Sequence, residues 1–208
     1  AFVFSPSLSS LTTRMDSLAQ ILKSAFDPVF PAPVQAWEQF ASFCELMKFP
    51  AEHELKAAGT TERYGYFILE GSMGIFLMKD HAEVCLDLGY ELTFFGDYMS
   101  LISSEPSPLS TRTLEPVQAL RISRSNIDSL KATPLGQQIF LAAAESSFVD
   151  KQRQQIDLLT KSAVERYEEL LQRHPAIILR TPQKYIASYL GITPQSLSRI
   201  RRQVSGTV

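Results

Sequence analysis

The sequence has few of the residues that metal sites and disulfide frameworks require. It contains two cysteines, Cys44 and Cys85, and three histidines, and none of them stands in a CxxC or HxxxH spacing. We therefore expect free thiols, no bound metal and no iron–sulfur cluster. GxSxG and GxxxxGK[ST] sequences are also absent, so we do not expect an enzyme.

Long apolar runs are missing as well. No run approaches the roughly 18 residues that a membrane-spanning helix needs, and the first residues lack the basic segment and long apolar run of a signal peptide. We therefore expect a cytoplasmic protein. Residues 1–14 precede Met15. We treat them as a tail to which we assign no function, and we leave open whether they belong to the natural protein.

Acidic residues are absent from the C-terminal part of the chain. From Leu170 to Val208 there is no Asp or Glu, whereas six basic residues occur: Arg173, Arg180, Lys184, Arg199, Arg201 and Arg202. The whole chain has a net charge of −2, so the part before this segment is acidic. Such an asymmetry is typical of a basic, nucleic-acid-binding module attached to an acidic body.

Two short helices are predicted within the basic segment. Thr181-Pro182 and Thr193-Pro194 each have the pattern of an N-cap followed by a first helical residue. Gly191 suits the left-handed residue that ends a helix. These signals predict one helix at about 182–190 and a second at about 194–203. Apolar residues repeat at helical spacing on one face of each helix, which leaves polar side chains on the other.

The outward side chains have the chemistry of a DNA-binding surface. Arg pairs with guanine and Gln with adenine in the major groove, while Ser, Lys and helix N-termini bind phosphate oxygens. We predict a helix-turn-helix that contacts duplex DNA through Thr181, Gln183, Lys184, Thr193, Pro194, Gln195, Ser196, Arg199 and Arg202. The alternative is an amphipathic helical hairpin with a solvated basic face, which leaves the doubled caps, the glycine turn and the missing acids unexplained.

Residues 50–122 are predicted to form short antiparallel strands. Six of the nine glycines lie between Gly59 and Gly96. Runs of β-forming residues alternate with turn residues at Tyr66–Leu69, Ile75–Met78, Glu83–Leu88 and Val117–Ile122. This spacing is typical of a small barrel or jelly roll. Residues 15–49, in contrast, show helical periodicity.

Helical periodicity returns in residues 125–160, which we predict to be one long helix. Its repeating apolar and small residues are Ile139, Ala142, Ala143, Ser146, Val149, Ile156 and Leu159. We favour a homodimer seam formed by residues 135–160 over a helix buried within one domain. A short helix is then predicted at Ser162–His174.

This order of elements resembles the cyclic-AMP receptor protein/FNR (Crp/Fnr) family of bacterial transcription regulators over residues 35–203. Phe49-Pro50 resembles the entry into the family's β-roll, Tyr66–Ser72 its strand and turn, and Phe95–Asp97 its step at the nucleotide pocket. The resemblance implies an α+β fold with three parts. They are a double-stranded β-helix (jelly-roll, cupin-like) domain of the cyclic-nucleotide-binding type at 15–124, a dimerisation helix at 125–160 and a winged-helix-like helix-turn-helix domain at 161–208.

The resemblance also implies a function. It suggests a homodimer that regulates transcription at a palindromic operator, with RNA polymerase as a candidate partner. Arg199 stands at the position of the family's guanine-reading arginine, and Gln195 at a base-contacting position. Pro194 replaces an arginine of many members, which implies a different operator. Ser196 is a phosphate-contact candidate.

The effector pocket departs from the family pattern. Members that bind cyclic AMP have an Arg-Ser pair about eleven residues after the pocket glycine, and the arginine neutralises the cyclic phosphate. Counting from Gly96 reaches Ser107-Pro108, and no basic residue lies between Gly96 and Thr111. The candidate pocket residues are Gly96, Asp97, Tyr98, Ser107, Pro108 and Arg112.

We therefore expect no cofactor and no response to cyclic AMP. Two alternatives stay open for the roll, which either holds another small-molecule effector or is purely structural. A further alternative is a cyclic-nucleotide sensor in which Arg112 supplies the phosphate contact. A protein-interaction module without DNA binding is the last alternative, and a strong salt dependence of DNA binding would exclude it.

Overall fold

The structure, a computed structural model, describes residues 18–80, 82–173 and 175–205, without the side chains of residues 173, 175–177 and 205. The predicted tail at residues 1–14 lies outside the described residues, as do His81 and His174.

Two helices precede the strands. Helix α1 covers residues 18–26, and helix α2 covers Val34–Ser42. The helical prediction for residues 15–49 is wrong at its end, because Cys44–Phe49 is strand β1. This strand pairs with β8, more than seventy residues away in the chain (Cys44 opposite Ile122), and such a non-local ladder overrides local periodicity.

The described strands form two four-stranded antiparallel sheets, in the orders β1-β8-β3-β6 and β2-β7-β4-β5. After β1, the strands are β2 (Glu54–Lys56), β3 (Tyr64–Glu70), β4 (Met73–Lys79), β5 (Ala82–Gly89), β6 (Phe94–Phe95), β7 (Leu109–Thr113) and β8 (Val117–Ser123). The four predicted strands correspond to β3, β4, β5 and β8. The expected jelly roll is therefore confirmed, although β2, β6 and β7 were not predicted.

The segment predicted as one long helix is divided into two. Helix α4 covers Arg124–Lys131 and helix α5 covers Pro134–Thr160. Pro134 has no N–H to continue the first helix, and the Thr133 hydroxyl accepts the Gly136 N–H at 3.0 Å and caps the second. A short helix that was not predicted, α3 (Tyr98–Ser103), connects β6 to β7.

The chain ends in a helical unit. It consists of α6 (Ala163–Arg173), α7 (Pro175–Arg180), α8 (Gln183–Tyr189) and α9 (Pro194–Ser205). Seven of its buried side chains form a cluster of their own: Tyr167, Ile178, Ile186, Ala187, Leu190, Leu197 and Ile200. The described part of this unit contains helices and turns only, so the winged-helix-like character stays a prediction. Among the described helices, none is long and apolar enough to span a membrane.

Candidate functional site

Helices α8 and α9 meet through a tight turn centred on a glycine. Gly191 has a φ of +68°, a conformation that glycine adopts without a Cβ penalty. The Gly191 N–H donates to Ser188 O at 2.9 Å, and the Ile192 N–H donates to Ala187 O at 2.9 Å. These bonds satisfy the carbonyls at the end of α8 in the manner of a Schellman motif, as the sequence predicts for Gly191.

Helix α9 begins at the predicted cap. The Thr193 hydroxyl oxygen accepts the Ser196 N–H at 3.2 Å and lies 3.0 Å from the Ser196 hydroxyl, so Thr193 is the N-cap and Pro194 follows it. Leu197 and Ile200 are buried against α6 and α8. Their burial turns the opposite side of α9 to solvent.

The solvent face of α9 contains most of the predicted DNA contacts. The exposed residues are Thr193, Pro194, Gln195, Ser198, Arg199 and Arg202, with Ser196 partly exposed. No ion pair joins Arg199 or Arg202 to an acid within the described residues, and Arg202 Nε contacts only the Ser198 carbonyl at 3.4 Å. On α8, Gln183 and Lys184 are also exposed, and Lys184 Nζ lies 4.5 Å from the Tyr185 ring centroid.

Thr181 differs from its prediction. It is buried, and its hydroxyl lies 2.6 Å from the hydroxyl of Tyr90 on the roll. Pro182, not Thr181, is the N-cap residue of α8, and no side chain caps that end. Thr181 is therefore a contact between the roll and the helical unit and is not accessible to DNA.

A closed polar cluster occupies the part of the roll where the sequence comparison places the family's phosphate site. Lys56 Nζ lies 3.1 Å from Asp97 Oδ2 and donates to Ser107 Oγ at 2.9 Å and to the Leu109 carbonyl at 2.6 Å. The Lys56 and Asp97 side chains are 2% and 1% exposed. Ser107 also donates to Asp97 Oδ2. The ammonium thus has an ion-pair partner and two hydrogen-bond acceptors inside the protein.

The glycine step, Gly96-Asp97, adjoins this cluster through Asp97. Gly96 has a φ of +144°, which favours glycine. Asp97 is the N-cap of α3, where its Oδ1 accepts the Ser100 N–H at 3.2 Å. Asp97, one of the candidate pocket residues, thus caps a helix in the structure.

A second buried acid, Glu62, lies next to this cluster. Its Oε1 accepts the N–H groups of Arg63 and Tyr64 at 3.0 and 3.2 Å. Burial nevertheless raises the pKa of Glu62 above its ordinary value, because the hydrogen bonds and the nearby Lys56 charge only partly offset it. Glu62 thus adds a further acid beside the Lys56–Asp97 pair.

Arg112 points away from this cluster. It follows the buried Thr111 on β7, so strand alternation directs it to the opposite face. Its guanidinium donates to Glu83 at 2.6 Å and to the Tyr185 hydroxyl of α8 at 2.9 Å. Sequence reasoning missed Lys56 and left the direction of Arg112 open, because lysines are rarely buried and β2 was not predicted.

A cavity of about 460 Å³ lies between the roll and α5. Its lining is mainly apolar and includes Phe40, Phe94, Phe95, Leu101, Ile139 and Phe140. Among the predicted pocket residues, Gly96, Asp97 and Tyr98 line it, whereas Ser107, Pro108 and Arg112 do not. The structure therefore brings half of the predicted effector residues together at an apolar space.

Helix α5 has two apolar faces. Ile139 is buried in the core with the roll, and Ala143 lines the cavity. The predicted stripe through these residues therefore does not form one exposed seam. The exposed apolar residues include Val149, Ile156 and Leu159 of the predicted stripe, together with Leu141 and Phe148 outside it. Of these, Leu141, Phe148, Ile156 and Leu159 follow one line along the helix.

Comparison with known proteins gives the class of the roll. Residues 46–133 match the family described as the cyclic nucleotide-binding domain. A search of curated proteins found no match. Among solved structures, FixK2 from Bradyrhizobium japonicum has a TM-score of 0.68 at 16% identity, covering 79% of this chain and 85% of its own.

Two further solved structures share the arrangement. The c-di-GMP responsive global regulator CLP from Xanthomonas campestris has a TM-score of 0.62 at 18% identity, covering 84% of this chain and 93% of its own. The catabolite activator protein of Thermus thermophilus has a TM-score of 0.53 at 19% identity, covering 88% and 87%. At these identities the likeness is one of fold.

Residues 46–133 thus match the cyclic nucleotide-binding domain family, and the chain shares its fold with FixK2, CLP and the catabolite activator protein, which are Crp/Fnr family regulators. The resemblance found in the sequence is confirmed at this level.

Proposed function

We propose that this chain is a homodimeric transcription regulator that binds a palindromic DNA operator without a cyclic nucleotide. The observation that carries the proposal is the outer face of α9. Arg199, Arg202 and Gln195 are exposed there on a helix whose other face is buried, and no Asp or Glu occurs from Leu170 onwards. Such a face fits a major groove and its phosphate borders.

The proposed helix-turn-helix consists of α8, the Gly191 turn and α9. The turn is short and hydrogen-bonded, and Ile186, Leu190 and Leu197 pack between the helices. This packing holds α9 as a rigid reading element. The N-terminal residues of a recognition helix contact base edges in this type of motif, which assigns Gln195 and Arg199 to bases and Ser196, Gln183 and Lys184 to phosphates.

The proposed dimer seam is the exposed apolar line on α5. Leu141, Phe148 and Leu159 expose 59%, 66% and 80% of their surfaces, and helical geometry places them on one side. A two-fold pair of such helices buries these side chains against each other. A two-fold axis that runs along the paired helices would also bring the two α9 helices to the same end of the dimer, as an operator with two half-sites requires.

The closed Lys56 cluster supports independence from cyclic nucleotides. A cyclic phosphate needs an available cation, and the buried ammonium of Lys56 already serves Asp97 and Ser107. Arg112 does not supply one either, because it faces away from the cavity and pairs with Glu83. We therefore retain the sensor based on Arg112 only as the alternative that a titration tests.

The DNA-binding experiment is an in-vitro selection from random duplexes, with purified protein and no added ligand. Enrichment of a two-fold palindrome by the wild type is expected. The double variant Arg199→Ala/Arg202→Ala is expected to enrich nothing, while Arg63→Ala, an exposed arginine on the roll, is the matched control. DNA binding by the wild type should weaken as the salt concentration rises. If no such salt-sensitive binding is found, the proposal is overturned.

The effector experiment is a calorimetric titration with cyclic AMP. We expect no saturable heat and no rise of the melting temperature up to about 1 mM nucleotide. Binding that Arg112→Ala abolishes would instead establish the sensor alternative.

No catalytic group is invoked in this proposal, consistent with regulators as the structural neighbours. The proposed place of action is the cytoplasm, where RNA polymerase is the candidate partner.

A further inference from the structure

Helix α8 is docked on the outer surface of the roll. Tyr185 belongs to a buried cluster with Phe76, Cys85 and Leu114, three residues of the roll. The rings of Phe76 and Tyr185 lie 5.0 Å apart. The helix that precedes the proposed reading helix is thus held by the roll of the same chain.

Arg112 is the centre of this docking surface. Its guanidinium lies 4.3 Å from the Phe76 ring centroid and donates to the Tyr185 hydroxyl at 2.9 Å. Glu83 orients the same guanidinium at 2.6 Å. A charged hydrogen bond that is stacked on an aromatic ring and held by a carboxylate has a defined direction, so it fixes where Tyr185 can lie.

Polar contacts on both sides of Tyr185 extend the docking. The Cys85 N–H donates to the Ser188 hydroxyl at 2.7 Å. At the other end of α8, Thr181 contacts Tyr90, and Arg180 donates to Glu91 at 2.7 Å and to Glu115 at 2.5 Å. The roll therefore holds the segment from 180 to 188 along its length.

Helix α9 has no comparable attachment to the roll. Among the described residues it packs on α8 and α6, so its position relative to the roll follows from that of α8. The helical unit joins α5 at Lys161-Ser162, where the backbone leaves the helix in an extended conformation. If the helical unit rotates relative to α5, the junction at Lys161-Ser162 is the pivot. Contacts at the pivot restrict this rotation little, whereas the α8 contact lies away from it and restricts the rotation more strongly.

We propose that the Arg112–Tyr185 contact fixes the angle of the reading helix and thereby sets the half-site spacing that the dimer accepts. Arg112 is a positioning residue in this inference and touches no DNA. The inference rests on the proposed function, because half-site spacing has meaning only for a dimer that reads two half-sites. Loss of the contact removes the most directional of these attachments, so the helical unit can turn further about Lys161 and reach half-sites at other distances.

The roll offers a matched control for Arg112. Arg121 on β8 has a similar side-chain exposure (23% against 21%), pairs with Glu45, and stacks on the Tyr64 ring at 4.3 Å. It contacts none of the described residues of α8. Arg121→Ala thus removes the same kinds of interaction without touching the proposed contact.

The main experiment measures affinities for the selected operator and for versions with one or two base pairs added to or removed from the spacer. Wild type and Arg121→Ala are expected to prefer one spacer. Arg112→Ala and Tyr185→Phe are expected to reduce that preference about tenfold, the loss expected for one hydrogen bond to a charged group. Both variants should still discriminate against base changes within a half-site. General unfolding would abolish this discrimination as well, so the measurement separates a positioning role from loss of the fold.

A second readout does not require DNA. Cys85 is buried in the cluster with Tyr185, and burial raises the pKa of its thiol to about 12. In a Cys44→Ala background, Arg112→Ala should therefore increase the rate of thiol labelling at Cys85 about tenfold over Arg121→Ala.

The outcomes separate the two levels of inference. If the wild type binds no operator at all, the proposed function fails, and the labelling rates alone decide whether Arg112 holds α8. If the wild type binds one spacing and Arg112→Ala keeps the full spacing preference, the positioning role of Arg112 is overturned while the proposed function stands. Equal labelling rates in Arg112→Ala and Arg121→Ala would overturn it as well.

Discussion

The Lys56→Met substitution tests the idea that the phosphate region of the roll is closed by an internal ion pair. Methionine keeps most of the length and volume of the lysine stem but removes the charge. Asp97 would then keep hydrogen bonds from Ser100 and Ser107 and lose its only cation among the described residues. Because both side chains are at most 2% exposed, bulk solvent does not compensate for the missing partner.

The expected loss is large for a single substitution. Removing one partner of a buried ion pair typically costs about 3–5 kcal/mol, because the other charge is left uncompensated. The Lys56 ammonium also donates to Ser107 and to the Leu109 carbonyl, and these acceptors lose a partner too. We therefore expect Lys56→Met to lower the free energy of unfolding by about 3–5 kcal/mol.

Urea unfolding followed by circular dichroism measures this change. Lys48→Met is the matched control, because Lys48 lies exposed on β1 and should lose less than about 0.5 kcal/mol. The double variant Lys56→Met/Asp97→Asn should recover most of the loss, since Asn remains a good N-cap and carries no charge. A loss below about 1 kcal/mol for Lys56→Met, or strictly additive losses in the double variant, would refute the ion pair as the element that closes this region.

Three further predictions concern DNA contact, dimerisation and pH. Arg199→Ala should cost about 1–3 kcal/mol of operator binding and relax one base position, whereas Lys184→Ala should weaken specific and random DNA alike; equal losses on both DNAs for both variants would contradict the assignment. Phe148→Asp should weaken the dimer at least about 100-fold by analytical ultracentrifugation, whereas Met78→Asp, equally exposed but on the roll, should leave it unchanged. Glu62→Gln should stabilise the fold at neutral pH. Because the folded-state pKa of Glu62 is raised, the contribution of Glu62 to stability falls as pH rises through that pKa. The stability gained by the Gln variant, measured by thermal unfolding, should therefore shrink towards pH 4. A gain that is independent of pH would show that the charge of Glu62 is not its cause.

The sequence allowed correct prediction of those strands in which a run of β-forming residues is bounded by turn residues. Tyr66–Leu69 and Val117–Ile122 have apolar residues bounded by turn residues, and both are strands of the roll. Strand β7 could not be found in this way, because its sequence is LSTRT and its buried positions are Thr111 and Thr113. Hydrogen bonds of the Thr113 hydroxyl with the distant backbone of Pro50 and His53 make Thr113 suitable for the interior, whereas the buried Thr111 hydroxyl has no hydrogen-bond partner among the described residues.

The helix boundaries show how one local signal has two outcomes. Thr193-Pro194 begins α9 with a side-chain cap, and Thr133-Pro134 begins α5 in the same way, although the prediction of one continuous helix overlooked the second. Thr181-Pro182 has the same residue pair, but Tyr90 on the roll takes the Thr181 hydroxyl. Local sequence identifies the possible cap, and a tertiary partner decides whether the cap forms.

The proposed DNA face was predictable because it depends on local features, whereas the closed pocket was not. Gln195 and Arg199 follow from a cap and a helical repeat within ten residues. The Lys56–Asp97 pair joins residues that are more than forty positions apart and on elements that were not predicted, β2 and α3. The absence of the family arginine was visible in the sequence, but its replacement by an internal lysine required the fold.

The ladder between β2 and β7 explains why neither basic residue of this region is free for a ligand. Lys56 pairs with Thr111 in that ladder, and Arg112 is the next residue. Because neighbouring strand residues point to opposite faces, Lys56 faces inward to Asp97 while Arg112 faces outward to Glu83 and α8. One cation thus joins β2 to the start of α3, and the other joins β7 to the helical unit. In a nucleotide sensor, a cation in this region would be available to a phosphate. Here both cations already hold parts of the same chain together, as the proposed independence from a ligand requires.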